Sequence, residues 1–157
     1  MTINLKYDIY IDGASKGNPG ESGIGVSIYE GGKLLKNLSE YIGITTNNVA
    51  EYTALIFALQ EAHMQKMNHV KINTDSQLLC RQINGEYKVK DTNLKLLHKI
   101  ATHLISGLKN IEIVNIPREK NRSADKLATI AVEKRPVLLK KHKKAMASQD
   151  DQLFGLI

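Results

Sequence analysis

Apolar and polar positions alternate with a period of two from Asn4 to Ile11 (NLKYDIYI), so this stretch reads as a strand. The same signature recurs at Gly23–Tyr29 (GIGVSIY) and at Lys33–Tyr41, and the Gly31–Gly32 pair between them is a two-residue hairpin signal. From Asn48 to Met67 the period changes. Apolar or small residues at 54, 55, 58, 59 and 62 fall on one face of a helix. Val70–Thr74 reads as a short strand, with helical patterns at about 76–84 and 93–106, a fifth strand at Ile111–Ile116 and a last helix from about Ser123 to Lys134. Pro136 closes that helix. The chain therefore divides into a body, residues 1–136, and a tail, residues 137–157.

The order of three strands, helix, strand, two helices, strand, helix constrains the topology. If the first strand points up, hairpins send the second down and the third up. The helix after the third returns the chain, so the fourth strand runs parallel to the first. Right-handed crossovers then build an α/β fold: a five-stranded mixed sheet, most simply in the order 3-2-1-4-5, with helices on both faces. The open end of such a sheet, at the carboxyl ends of the central strands, is where a crevice forms.

Four acids converge there. Asp12 ends the first strand and runs into a glycine-rich segment, GASKGNPG. Asp75 ends the fourth strand, about 5 Å away by strand spacing. Glu51 starts the helix after the third strand and shares a face with Ala54, Leu55 and Ala58, and Asp125 starts the helix after the fifth. Each acid has an ordinary alternative: Asp75 as a helix N-cap, Glu51 in a capping box begun by Asn48, Asp125 as a favourable charge at a helix start and Asp12 as a turn residue. Crowded carboxylates repel one another, however, and a divalent cation removes that penalty. An all-oxygen donor set points to Mg²⁺ or Mn²⁺, and two such ions suit phosphodiester chemistry.

Composition adds limits rather than direction. The chain has 157 residues, 42% apolar and 24% charged, as expected of one soluble domain. No apolar run approaches the roughly 20 residues of a membrane span. The N-terminus lacks a signal-peptide pattern, and Cys80, the lone cysteine, reads as a small core residue, so a reducing, cytoplasmic setting and a monomer are expected. Net charge is +6, and it is still +4 without the four lysines and two aspartates of the tail, which favours a polyanionic partner. The glycine-rich segment leads into a strand and lacks the P-loop and dinucleotide patterns, which removes a nucleotide-cradle reading.

The segments IDGASKGNPG (11–20), TTNNVAEYTAL (45–55), INTDSQLL (72–79) and NRSADKLA (121–128), in this order and each bearing one acid, resemble the type 1 ribonuclease H family. The resemblance runs from about Ile9 to Glu133. It implies a ribonuclease H-like fold in which Asp12, Glu51, Asp75 and Asp125 bind two Mg²⁺ ions and cleave the RNA strand of an RNA/DNA hybrid, leaving 5′-phosphate and 3′-hydroxyl ends. It also implies substrate contacts from Gly13, Asn18, Thr46, Asn48 and Gln77. Two departures stand out. The loop before the last aspartate, IPREKNRSAD, carries no histidine, and Arg118 is the candidate to assist turnover there through phosphate. The basic protrusion of some members shrinks to NGEYKVKDTN (84–93), so the lysine-rich tail is expected to help hold substrate. These departures keep two rival readings open: a catalytically silent nucleic-acid-binding module of the same fold, and a nuclease for another duplex such as double-stranded RNA.

Overall fold

Five strands form one mixed sheet in the order β3-β2-β1-β4-β5 in the computed structural model, which describes residues 5–134. They are β1 (Tyr7–Lys16), β2 (Gly20–Glu30), β3 (Lys33–Thr45), β4 (His69–Thr74) and β5 (Asn110–Asn115). The helices are α1 (Asn47–Met64), α2 (Gln77–Ile83), α3 (Thr92–Ser106) and α4 (122–134), with a 3₁₀ turn at Arg118–Lys120. The expected tail, 137–157, and the closing role of Pro136 lie outside the described residues.

Strand order and directions are those the sequence pattern requires: β1–β2 and β2–β3 are antiparallel, whereas β1–β4 and β4–β5 are parallel. Gly31 and Gly32 close the β2–β3 hairpin with φ of 56° and 84°, the left-handed pair that a two-residue turn needs. One face of the sheet presents Ile9, Ile11, Ile24, Val26, Ile28, Val70 and Ile72, all buried beneath Ala54, Leu55, Ala58 and Leu59 of α1. The period-two and period-3.6 patterns thus meet in one core. On the opposite face α4 lies against β2. A Cβ on Gly25 would stand 2.1 Å from the Ala124 carbonyl oxygen, so the helix seats directly on the strand backbone. Cys80 is buried, as its apolar surroundings in the sequence indicate.

α1 ends earlier than its apolar pattern suggests. The helix stops at Met64, and Lys66, at φ 52°, reverses the chain. The Met67 N–H then donates to the Ala62 carbonyl at 2.9 Å and the Lys66 N–H to His63 at 3.1 Å, a Schellman closure. Met67 is apolar because it folds back onto the core from this cap, and the period counted it as helix. Among the described residues no helix is long and apolar enough to cross a membrane.

Candidate metal centre

The sheet forks at the level of the acids. β1 pairs with β4 only as far as Ile11 opposite Thr74, yet its pairing with β2 continues to Lys16 opposite Glu21. Asp12 and Asp75 each sit one residue past the last shared register, so both carboxylates enter the notch where β1 and β4 part. This corrects the expected end of the first strand at Asp12. Gly13–Lys16 is strand, and the turn is confined to residues 17–19. β2 holds this extension along its own edge of β1.

Two capping alternatives also fall. The N-cap of α1 is Thr46, whose hydroxyl accepts from the Val49 N–H at 3.3 Å, so Glu51 is not part of a capping box begun by Asn48. The N-cap of α2 is Ser76, accepting from the Leu79 N–H at 3.2 Å, which leaves the Asp75 carboxylate free of that duty.

Asp12, Glu51 and Asp75 each direct a carboxylate oxygen into one cluster, all within 4.8 Å of one another. Asp125, in the first turn of α4, stands outside that set but lines the same cleft of about 370 Å³. α1 can bring Glu51 so close because position 13 is glycine. A Cβ there would lie 2.4 Å from the Ala50 carbonyl carbon, and the Gly13 N–H donates to Glu51 Oε2 at 3.2 Å. Asp12 is only 6% exposed and Glu51 only 5%. Burial, then the Asp75 charge, then the hydrogen bond and charge of Asp125 push the Asp12 carboxyl up to about 8, against a lowering contribution from Glu51. Burial and the charges of Asp12 and Asp75 hold Glu51 well above its ordinary value. Among the described residues the two ion pairs are Lys36–Glu61 and Arg81–Glu86, so no protein cation pairs with these acids. Buried, crowded, all-oxygen carboxylates without a basic partner fit a hard divalent cation.

Arg118 opens the 3₁₀ turn and lines the cleft beside the four acids. The expected substrate residues divide into two groups. Gly13 lines the cleft, whereas Thr46, Asn48 and Gln77 are exposed at the starts of α1 and α2. Asn18 reaches from the β1–β2 turn and accepts from the Asn47 N–H at 3.1 Å, tying hairpin to helix. Asn47 lines the cleft where the sequence pointed to its neighbour Asn48.

Asn121 was missed. Its side chain is fully buried, and Nδ2 donates to the Ile11 carbonyl at 2.8 Å and to Asp75 Oδ2 at 3.2 Å. It fills the fork, satisfying a carbonyl that β4 abandons and fixing the rotamer of Asp75. The available signal was an asparagine directly ahead of a helical pattern. His63 and His98 hydrogen-bond backbone carbonyls of Leu104 and Gln82, and no histidine lines the cleft.

Residues 10–131 match the reverse transcriptase-like family. The chain is 37% identical over 125 residues to ribonuclease HI of Halobacterium salinarum, covering 79% of this chain and 63% of that protein. It is 36% identical over 131 residues to the bifunctional protein Rv2228c of Mycobacterium tuberculosis, covering 82% of this chain and 36% of that protein. The chain thus spans less than two thirds of the length of these curated relatives. LC11-RNase H1, isolated from compost and solved in complex with RNA/DNA hybrid, superposes with a TM-score of 0.79 at 45% identity, covering 83% of this chain and 99% of that one. The fork, the acid cluster it holds and these likenesses agree, and the chain belongs to the type 1 ribonuclease H family.

Proposed function

We propose that this chain is a metal-dependent endonuclease that hydrolyses the RNA strand of RNA/DNA hybrids. The observation that carries this reading is the cluster of Asp12, Glu51 and Asp75 within 4.8 Å, the first two buried, all three unpaired with any described cation and open to a cleft. The solved hybrid complex of LC11-RNase H1 supports the substrate class.

Asp12, Glu51, Asp75 and Asp125 would hold two Mg²⁺ ions, with Mn²⁺ able to substitute. Bound there, such ions supply an activated water and a stabilised leaving oxygen. The chain's own residues set the stage for that chemistry. The Gly13 N–H orients Glu51, and Asn121 orients Asp75. Hydrolysis breaks the P–O3′ bond and leaves 5′-phosphate and 3′-hydroxyl ends. Thr46, Asn48 and Gln77 present neutral donors at the starts of α1 and α2, joined by Asn18 and the Gly13 backbone, and these suit phosphate oxygens and sugar hydroxyls.

The test is cleavage of labelled RNA/DNA hybrid, RNA duplex and DNA duplex in Mg²⁺, Mn²⁺ or EDTA. Cutting of the hybrid alone, abolished by EDTA, is expected. No cutting with either metal overturns the reading in favour of a silent binding module, and cutting of either other duplex overturns the assigned substrate. Arg118 supplies a permanent positive charge for the phosphate but no transferable proton. Arg118→Ala is expected to lower kcat/KM roughly 10- to 100-fold, the size of one charge-assisted hydrogen bond. Unchanged kcat and KM would remove Arg118 from the site.

A further inference from the structure

On the face of the sheet opposite α1, a second cleft of about 380 Å³ opens between β1, the β2–β3 hairpin and the start of α4. It is lined by Asp8, Tyr10, Tyr29, Gly32, Lys120 and Ser123. None of these residues lines the metal cleft, and the volume falls within the roughly 300–1,000 Å³ of small-molecule sites. The strand period explains the composition. Asp8 and Tyr10 alternate with the core residues Ile9 and Ile11, and Tyr29 pairs with Asp8 across the antiparallel ladder, so polar and aromatic groups gather on the face that α4 covers only in part.

Tyr10 and Tyr29 meet edge to face, with centroids 5.8 Å apart and planes at 81°, a rigid aromatic corner. Such a corner accepts a flat ring, because a base stacks on an aromatic face. Lys120 is exposed and has no carboxylate within ion-pairing distance among the described residues. Ser123, whose Oγ donates to Ser27 Oγ at 3.2 Å, lines the same cleft. Asp8 offers acceptors on the remaining side. Gly32, whose substituent would meet nothing within 4 Å, leaves the mouth unobstructed.

A flat ring, a sugar diol and an anion are together the parts of a nucleotide. We propose that this cleft is a second binding site, for a nucleoside 5′-monophosphate. The base packs in the corner of Tyr10 and Tyr29, the ribose hydroxyls donate to Asp8, and the phosphate meets Lys120. The nucleotide is either free or the 5′ end of an RNA strand, since both present the same groups. The site does not rest on the proposed nuclease activity: it needs no metal and shares no carboxylate with the metal centre. The two clefts are nonetheless neighbours, because the 3₁₀ turn that brings Lys120 to one brings Arg118 to the other.

Titration calorimetry with 5′-AMP, in EDTA so that the metal centre is silent, tests the proposal. Adenosine, inorganic phosphate and a 5′-phosphorylated RNA trinucleotide are the parallel arms. Saturable binding of AMP or of the trinucleotide is expected with Kd of roughly 1 mM or tighter. Adenosine and phosphate alone should bind at least tenfold more weakly, and the tighter of the two nucleotide arms identifies the source. Lys120→Ala, at an exposed position compatible with folding, should weaken binding at least tenfold, while Asp12→Asn should leave it unchanged. Resonances of the Tyr10 and Tyr29 rings should shift on binding. Absence of binding in both nucleotide arms, or binding lost in Asp12→Asn but kept in Lys120→Ala, overturns the proposal.

Discussion

Asp12→Asn is expected to abolish hydrolysis and, at the same time, to raise the melting temperature of the metal-free protein. Loss of a charged metal ligand should cost about 4 kcal/mol or more in the transition state, a fall of roughly a thousandfold or greater. The stability gain has a separate cause. The folded protein holds the Asp12 carboxyl at about 8, against an ordinary value of 3.8, because burial and the charge of Asp75 penalise its ionised form. Below the ordinary value both states are protonated and folding incurs no penalty. As pH rises toward 8 the unfolded chain ionises freely while the folded chain resists, so stability falls across this window and levels off above it. Glu51 is shifted in the same direction and steepens the fall. Metal-free protein should therefore melt higher at about pH 5 than at about pH 8. Asparagine keeps the shape and removes the charge, so much of that slope should vanish, and added Mg²⁺ should stabilise the wild type far more than the variant. Thermal melts over this range, with EDTA and with Mg²⁺, check both halves. A wild-type melt that rises with pH in EDTA, or a variant that melts below the wild type at pH 8, would contradict the account.

Gly13→Ala should damage the same centre without touching a carboxylate. The added methyl would lie 2.4 Å from the Ala50 carbonyl carbon and 2.5 Å from the Glu51 nitrogen, both backbone atoms that cannot rotate away. α1 must retreat from β1, opening the core beneath Ala54 and carrying Glu51 away from the Gly13 N–H. Overpacking of this kind costs about 1–3 kcal/mol, or roughly 3–10 °C in melting temperature. Because Glu51 moves with the helix, the Mg²⁺ dependence of both melting and cleavage should shift to higher concentration. Wild-type melting and wild-type Mg²⁺ dependence together would show that the helix is not seated on this glycine.

Period and punctuation made most of the architecture readable. Alternation at Ile9 and Ile11, the Gly31–Gly32 turn and the face of Ala54, Leu55 and Ala58 are local signals, and each lies where it pointed. Strand directions then followed from connection lengths and handedness, which brought four distant acids to one end of the sheet. The upper half of β1 was not readable. Gly13, Ala14, Ser15 and Lys16 have neither alternation nor strand preference, and they are extended only because β2 runs opposite them and the Ser15 and Ser22 hydroxyls tie back to the Thr45 carbonyl. Cap identity was lost for a similar reason: Thr46, Asn47 and Asn48 are all acceptable caps, and only the seating of α1 on Gly13 selects Thr46. Asn121 escaped because its role depends on a fork that exists only in three dimensions.

That fork also separates two kinds of length along the chain. Below it, the spacing from Tyr7 to Asp12 is locked by a five-stranded ladder, and one inserted residue would turn Asp12 to the opposite face. Above it, β1 and β2 continue as an arm held by β3, α1 and α4, ending in the exposed turn at residues 17–19. Residues added in matched pairs to that arm would lengthen it while leaving every ligand in place. The length of that arm is therefore an adjustable dimension, independent of the ligand positions at its base.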